Sequence, residues 1–430
     1  ITRLGNLRLI QVRPTAAIVK YASSDCDPLA AGRELQVDAV LDGSIRRLDE
    51  RIRVTVQLVS VQNEAPLWAG KFDERFTDIF AVEDSISEQV ADALLLKLTA
   101  DQRRLLTRRP TENIAAYDLY LRGIHQLNKH TAESLRQATV FFNQAIEQDP
   151  NYAVAYARLS GCYNLIYVHS SGPPPLKIAR LARAAATQAL ALDDSLAEAH
   201  AADAIVKLCC EWKLAEALAA SRRAIELKPH GVFSNIALGW SLAAHGRLAE
   251  GVAALRLAQQ TAPQASALNI SLGNLLLLAH WHDEAAEVFQ RMLNLYPQHP
   301  EAFRGLGQAD ILRGRIDEVL LSLNDEALTN RQPVVSYLRG IACGRGGDAA
   351  RARQALAELH EIAQREYIRP IHLAAVHAES GDANQAFACL ERSFEEREPA
   401  LVYLNVYPFF DKLRSDPRFD ELLRRVGIEP

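Results

Sequence analysis

Histidine is the residue type in this chain that most directly suggests metal binding, and its spacing decides whether that chemistry is available. His280 and His282 flank Trp281. Side chains two positions apart do not share a helix face, and zinc requires three or four ligands, so we interpret this triplet as a turn. His372 and His377 are five positions apart, whereas zinc-protease histidines lie four apart on one helix. We therefore predict no metal site.

A glycine-rich stretch, Gly344 to Gly347, is the nearest approach to a phosphate-binding loop. It follows a predicted helix rather than a strand, and it lacks the Lys-Ser/Thr pair that such loops carry. No serine lies in a nucleophile-elbow pattern. The sequence therefore predicts no catalytic residue and no cofactor.

The cysteines are spaced too irregularly for a metal or redox motif. None of the six forms a C-x-x-C pair. We interpret them as small buried hydrophobes, and their free thiols favour a reducing compartment. A separate role for the adjacent pair Cys209-Cys210 stays open. The six are Cys26, Cys162, Cys209, Cys210, Cys343 and Cys389.

Composition narrows the class of protein further. The net charge is −5, which argues against a nucleic-acid surface because such surfaces are basic. The most apolar stretch, Leu268 to Ala279, is interrupted by Asn269 and Asn274 and falls short of the roughly 20 residues that span a bilayer. No signal peptide is evident, and the start at Ile1 favours a fragment of a longer protein.

The first 76 residues have the period of two that is typical of β-strands. In Arg51 to Val61, apolar side chains such as Ile52 and Val54 alternate with polar ones. Asp27 before Pro28 predicts the start of a helix. We predict a small α+β domain over residues 1–100, incomplete at its N-terminus, with a three-stranded antiparallel meander. The predicted strands are Leu7–Val12, Ala39–Leu48, Arg51–Val61 and Leu67–Phe76, the helices Pro28–Leu35 and Ile79–Leu98, and the turns Asp49-Glu50 and Asn63–Pro66.

Residues 101–113 are polar and basic, and we predict a linker there. A nucleic-acid patch is the alternative reading of its arginines. No aromatic side chains are interleaved with them, which favours a solvated hinge.

From residue 114 the period becomes helical and the chain repeats itself. Pro229, Pro263 and Pro297 recur at intervals of 34 residues. Leu-Gly pairs precede them at matching positions, such as Leu238-Gly239 and Leu272-Gly273. This is the tetratricopeptide (TPR) signature of paired helices that stack because one hairpin cannot bury its apolar face alone. We predict a mainly α protein: a right-handed TPR-type α-solenoid of about eight hairpins over residues 114–400, and a capping segment at 401–430.

One irregularity interrupts the array. Ser170 to Pro175 lies between two helices and reads either as a plain loop or as a local binding feature, and we favour the loop.

The inner face of the solenoid is the predicted binding surface, since the first helix of each hairpin lines it. Motif positions five and nine point inward there. We predict that this groove takes a protein or peptide and that no nucleic acid contacts it. Trp240 is a candidate anchor, but we favour the alternative that it packs against a neighbouring hairpin within the solenoid. The predicted groove residues are Ile236, Trp240, Ile270, Asn274, Arg304 and Gln308.

The N-terminal strands also carry a recognisable series of short motifs. They are Gly32-Arg33-Glu34-Leu35, Val37-Asp38, Val40-Leu41, Gly43-Ser44, Arg46-Arg47, Arg53-Val54, Gln57-Leu58, Leu67-Trp68 and Phe72-Asp73, joined further on by Ala115 to Gly123 and Leu413 to Phe419. This series resembles the TolB-like domain of bacterial signalling proteins, in which TPR repeats follow. The usual opening strand and helix of that domain are absent.

The resemblance implies an effector before the TolB-like domain. It would be a CadC-type winged-helix DNA-binding domain, an adenylate or guanylate cyclase, or a Ser/Thr kinase. We expect a sensor module of a transcriptional regulator, with a cyclase or kinase tail as the alternative. The resemblance implies the periplasm, beyond a membrane anchor outside this chain, whereas the free cysteines favour the cytoplasm. A homodimer and a purely structural scaffold also stay open.

Overall fold

The computed structural model describes residues 10, 12–13, 18, 21, 27–48, 51–75, 79–94, 109–129, 131–168, 176–263, 265–324 and 332–429. Its contacts divide the chain into two units, residues 1–114 with 261–264 and residues 115–260 with 265–430. Several predicted features lie wholly or mostly outside the described residues. These are the strand Leu7–Val12, the turn Asp49-Glu50, residues 95–98 of a helix, residues 101–108 of the linker and the insertion 170–175.

The first unit contains a three-stranded antiparallel sheet in the order β1-β2-β3, which confirms the predicted meander. Asp27 caps the first helix by accepting hydrogen bonds from the backbone N–H groups of Leu29 and Ala30. The elements are α1 (Pro28–Glu34), β1 (Ala39–Leu48), β2 (Arg51–Ser60), β3 (Ala65–Arg75) and α2 (Ile79–Ala93).

Alternation along β2 gives the sheet one apolar and one polar face. Ile52, Val54 and Val56 are buried and pack with Val82 of α2. On the other face, Arg53 donates to Asp73 across the strand pair. β3 begins two residues earlier than predicted.

Pro66 accounts for an irregularity in this sheet. It lies in β3 opposite Val59, and the register shifts between Leu58 and Val59. A proline cannot donate to the ladder, so it is tolerated at such a bulge.

The second unit is a succession of helical hairpins. Helices α3 to α18 pair in chain order, and the described residues contain eight such pairs. The pairs are α3 (Ile114–Leu127) with α4 (Ala132–Gln148), α5 (Ala153–Val168) with α6 (Leu176–Leu192), α7 (Ala197–Val206) with α8 (Leu214–Leu227), α9 (Val232–Ala244) with α10 (Leu248–Thr261), α11 (Ser266–Leu278) with α12 (His282–Leu295), α13 (Pro300–Leu312) with α14 (Ile316–Ser322), α15 (Gln332–Arg345) with α16 (Ala349–Ile362), and α17 (Pro370–Glu379) with α18 (Ala383–Glu395).

Small residues let these helices approach closely, as the repeat motif predicts. A Cβ atom on Gly273 of α11 would lie 2.6 Å from the ring of Phe289 on α12. Phe289 is fully buried, and it also fills the space beside Gly305 of the next hairpin. The second unit is therefore a TPR-type α-solenoid.

The turns inside the hairpins explain the His280-Trp281-His282 triplet. Four hairpins turn through a glycine with positive φ, for example Gly246 at +71° and Gly314 at +81°. His280 occupies the same left-handed position with φ +60°. The structure thus places this histidine in a turn, and His282 begins α12.

Two features depart from a regular array. A π-helical turn, Lys207–Glu211, continues α7 and ends at Trp212 with φ +59°. After α18, two 3-10 segments, Pro399–Val406 and Pro408–Leu413, lead into α19 (Pro417–Val426). Among the helices that the structure describes, none combines the length and the apolar character needed to cross a bilayer.

Candidate partner-binding face

The six predicted groove residues all lie on first helices of hairpins. Ile236 and Trp240 are on α9, Ile270 and Asn274 on α11, and Arg304 and Gln308 on α13. Their surroundings differ: Gln308 is buried, while the other five keep partial solvent contact. The structure therefore separates residues that are engaged within the chain from residues that stay accessible.

Trp240 is engaged by the chain itself. Its indole packs on the ring of Tyr403, with ring centroids 4.9 Å apart. The indole N–H donates to the Ser271 hydroxyl of the next hairpin over 3.2 Å. Trp240 thus contacts both a neighbouring hairpin and the C-terminal 3-10 segment.

Arg304 and Gln308 belong to a second internal network. Arg304 donates to the Gln308 amide oxygen over 2.7 Å and to the Glu301 carboxylate over 2.6 Å. The Gln308 amide in turn donates to the hydroxyls of Tyr337 and Tyr407, over 2.9 and 3.2 Å. Burial opposes the charge of Arg304, but the nearby Glu301 outweighs it, so the pKa of Arg304 is raised. Gln308 and Glu301 therefore hold this guanidinium directly, and the two tyrosines hold Gln308.

The segment after α18 reaches helices far away in sequence. The Tyr167 hydroxyl of α5 donates to the Arg397 carbonyl over 2.8 Å. Arg369, just before α17, donates to the Val168 carbonyl over 3.2 Å. Hairpins two and eight are therefore connected directly, and residues 399–406 contact both α9 and the π-helical turn.

Tyr403 and Tyr407 contact predicted groove residues, and the sequence did not indicate these contacts. Both belong to the stretch predicted as the capping segment, and they contact the first helices α9 and α13. Their signal was the apolar density of this stretch, since Leu401, Leu404 and Phe410 are fully buried.

What stays accessible is a stretch of the inner face on α9 and α11. Ile236, Ile270 and Asn274 are partly exposed. These side chains are apolar or an amide, so they offer no nucleophile or general base. Among the described residues, no three His, Cys, Asp or Glu side chains are grouped to hold a metal ion.

Comparisons with known proteins add one relative and several distant structures. No protein-family profile matches the chain. A Rhizobium meliloti (strain 1021) protein named "Putative adenylate cyclase 3" is 35% identical over 140 residues, which are 33% of this chain and 24% of that protein. The chain thus spans about a quarter of this relative.

Two solved structures illustrate the structural similarity. A tetratricopeptide repeat protein from Parabacteroides merdae has a TM-score of 0.40 and 11% identity, covering 64% of this chain and 99% of its own. A human IFIT1 dimer with PPP-AAAA has a TM-score of 0.44 and 17% identity, covering 72% of this chain and 77% of its own. These values are too low to bear on function.

Proposed function

We propose that this chain is a non-catalytic, partner-binding regulatory module of a bacterial signalling protein. The observation that carries the proposal is the accessible inner face formed by Ile236, Ile270 and Asn274. Stacked hairpins hold these three side chains rigidly, so a peptide that binds there loses entropy but the protein does not rearrange. In this proposal residues 114–400 bind the partner, and residues 1–100 form a separate TolB-like domain.

The segment Pro399–Val406 restricts where the partner binds. Because Tyr403 covers Trp240, the partner contacts α9 and α11 on the side that carries Ile236 and Ile270. Trp240 then supports the groove from within rather than serving as the anchor. The proposal therefore assigns the primary contacts to Ile270 and Asn274.

Peptide display against the whole chain tests the proposal. Asn274→Arg places a long charged side chain in the accessible face, and we expect selected peptides to lose at least about tenfold in affinity, or about 1.4 kcal/mol. Gln290→Arg is the matched control, because Gln290 is exposed on the second helix α12. Equal losses for both variants, or no selectable peptide, would overturn the proposal.

The output that this module regulates has two candidates. The resemblance to TolB-like signalling proteins supports a transcriptional regulator of the CadC type. The 35% identity to the Rhizobium meliloti relative supports a nucleotide cyclase instead. The reading frame upstream of Ile1 distinguishes them, since a winged-helix, cyclase or kinase domain each has its own motifs. An upstream sequence with none of the three would leave the chain as an assembly scaffold.

A further inference from the structure

Arg158 on α5 is a largely buried cation with one unsatisfied donor. Its Nε atom is buried without a hydrogen-bond partner. Its guanidinium lies over the Phe233 ring, 5.6 Å from the centroid. Within the described part of the chain it forms no ion pair shorter than 4 Å. Burial opposes its charge, but Tyr120 and Glu198 outweigh that effect, so the pKa of Arg158 is raised. A guanidinium carries five N–H donors, and the Nε–H among them is unsatisfied.

The charges around Arg158 leave a positive excess. Glu198 on α7 is the nearest carboxylate, and Lys228 already donates to it over 3.0 Å. Burial alone would raise the pKa of Glu198. The charges of Lys228 and then Arg158 outweigh this effect, so the pKa is lowered. Two cations therefore share one carboxylate. Glu198 and Lys228 expose 14% and 33% of their side chains, so the cluster is desolvated yet reachable.

This cluster lies next to the helix α9 that carries part of the proposed groove. Arg158, Glu198 and Phe233 come from the first helices of hairpins two, three and four. Phe233 and Ile236 are three positions apart on α9 and share a helix face. Both are partly exposed. The positive site thus adjoins the apolar groove.

We propose that Arg158, together with Lys228, binds the carboxylate of an acidic residue in the partner peptide. An arginine fork pairs with a carboxylate through two parallel hydrogen bonds, and low local dielectric strengthens that pair. Phe233 and Ile236 then contact the apolar residues that flank the acidic one. This inference rests on the proposed function and specifies the chemistry of the partner.

The surroundings favour a single carboxylate over a phosphate or a nucleic acid. Glu198 stays within the cluster and repels a second negative charge. The chain as a whole carries −5, which also disfavours a polyanion. The adjoining apolar side chains match a peptide of mixed character rather than a sugar-phosphate backbone.

Four pools of fluorescein-labelled nine-residue peptides test this inference by fluorescence polarisation with the whole chain. Each pool has Leu, Ile, Val, Phe and Ala around one fixed central residue, which is Glu, Gln, Lys or phosphoserine. We expect the Glu pool to bind about tenfold or more tightly than the Gln pool, which is about 1.4 kcal/mol. The Lys pool should bind weakest, and a preference for phosphoserine over Glu would overturn the choice of carboxylate.

Two variants connect the preference to the cluster. Arg158→Gln should abolish the difference between the Glu and Gln pools, and Lys228→Gln should reduce it. Arg223→Gln is the matched control, because Arg223 is exposed and pairs with Glu226 on the outer helix α8. Unchanged preference in Arg158→Gln would overturn the inference.

Thermal unfolding separates a binding role from a structural one. Arg158 has no ion-pair partner within 4 Å among the described residues, and burial opposes its charge, so the melting temperature of Arg158→Gln should be unchanged or higher. A clear loss of stability would identify Arg158 as structural and would also contradict the inference. If no pool binds the wild-type chain, the proposed function fails; binding without preference for Glu refutes only this site.

Discussion

Trp212, between α7 and α8, and Arg397, just after α18, are in direct contact. The Arg397 guanidinium lies over the Trp212 ring, 4.6 Å from its centroid, and also donates to the Glu211 carbonyl over 3.0 Å. Both residues have left-handed backbone, with φ of +59° and +57°. Such conformations cost roughly 1 kcal/mol each for residues with a Cβ, so the contact compensates for strain on both sides.

Arg397 offers a direct measure of this strain. Arg397→Ala should lower the free energy of unfolding by about 2 kcal/mol, through loss of the cation–π contact and the hydrogen bond to Glu211. Arg397→Gly loses the same contacts but suits positive φ, so it should be more stable than the alanine variant by about 1 kcal/mol. Urea denaturation followed by circular dichroism measures both.

The same pair of substitutions at a helical position provides the control. Arg392 lies within α18, where glycine should be about 1 kcal/mol less stable than alanine. If the alanine variant were also more stable than the glycine variant at position 397, backbone strain at Arg397 would be excluded as a factor.

Local periodicity accounts for what the sequence could predict. The 34-residue spacing located the hairpins because each helix must bury its apolar side within its own repeat and the next. The alternation in Arg51–Ser60 located the sheet for the same local reason. Neither signal reports how strongly the array curves, since curvature accumulates from small rotations between repeats.

Long-range contacts were therefore beyond the sequence argument. Nothing near Trp240 in the sequence indicates that Tyr403 will pack on it. The same holds for Arg158, because no motif indicates that its Nε atom is buried without a hydrogen-bond partner. His280 is a simpler case. It occupies a turn position where other hairpins have glycine, and its closeness to His282 in the sequence is a consequence of that turn rather than of metal binding.

Gly273 tests the close packing inside one hairpin. Gly273→Ala should destabilise the protein by about 1–3 kcal/mol, because the new methyl group overlaps the buried Phe289 ring. Combining it with Phe289→Leu should cost less than the sum of the single changes, since the smaller side chain makes room. Chemical denaturation of the three variants gives the coupling free energy.

Gly161 in α5 is the matched control. A Cβ there would lie 3.5 Å from Phe233, an ordinary contact distance. Gly161→Ala should therefore gain about 0.5–1 kcal/mol from helix propensity. Equal destabilisation at both glycines would contradict the packing argument.

The ion pair between Arg369 and Glu398 is buried and stabilises the end of the array. Glu398 is fully buried, accepts from Arg369 over 2.9 Å and also accepts from the Ile371 backbone N–H over 3.1 Å. Arg369→Met should cost about 3–5 kcal/mol because it leaves the carboxylate buried without its counter-charge.

Removing both charges should cost less than removing one. The double variant Arg369→Met with Glu398→Leu is expected to recover part of the stability that Arg369→Met loses, despite the unpaired Ile371 N–H. Equilibrium unfolding of the double variant and both single variants completes the cycle. Strict additivity would show that the two side chains act independently.

His372 makes the stability of the array depend on pH. Its ring stacks on Tyr337 at 4.5 Å. Burial, followed by the charges of Arg369 and Arg304, holds the pKa of His372 well below 6.5, while Glu301 opposes this weakly. The folded state therefore keeps the ring neutral at a pH where the unfolded chain binds a proton.

The sign of the effect follows from this difference in proton binding. Below the pKa of about 6.5 in the unfolded chain, the unfolded state binds more protons than the folded state. As the pH decreases, this histidine therefore lowers the free energy of unfolding by up to about 1.4 kcal/mol per pH unit. The pKa values of His282 and His377 are also lowered by burial and add to the slope. His372→Phe keeps an aromatic ring beside Tyr337 and should flatten the decline between pH 6.5 and 5. Urea midpoints across that range measure it, and parallel curves for wild type and variant would show that His372 does not contribute.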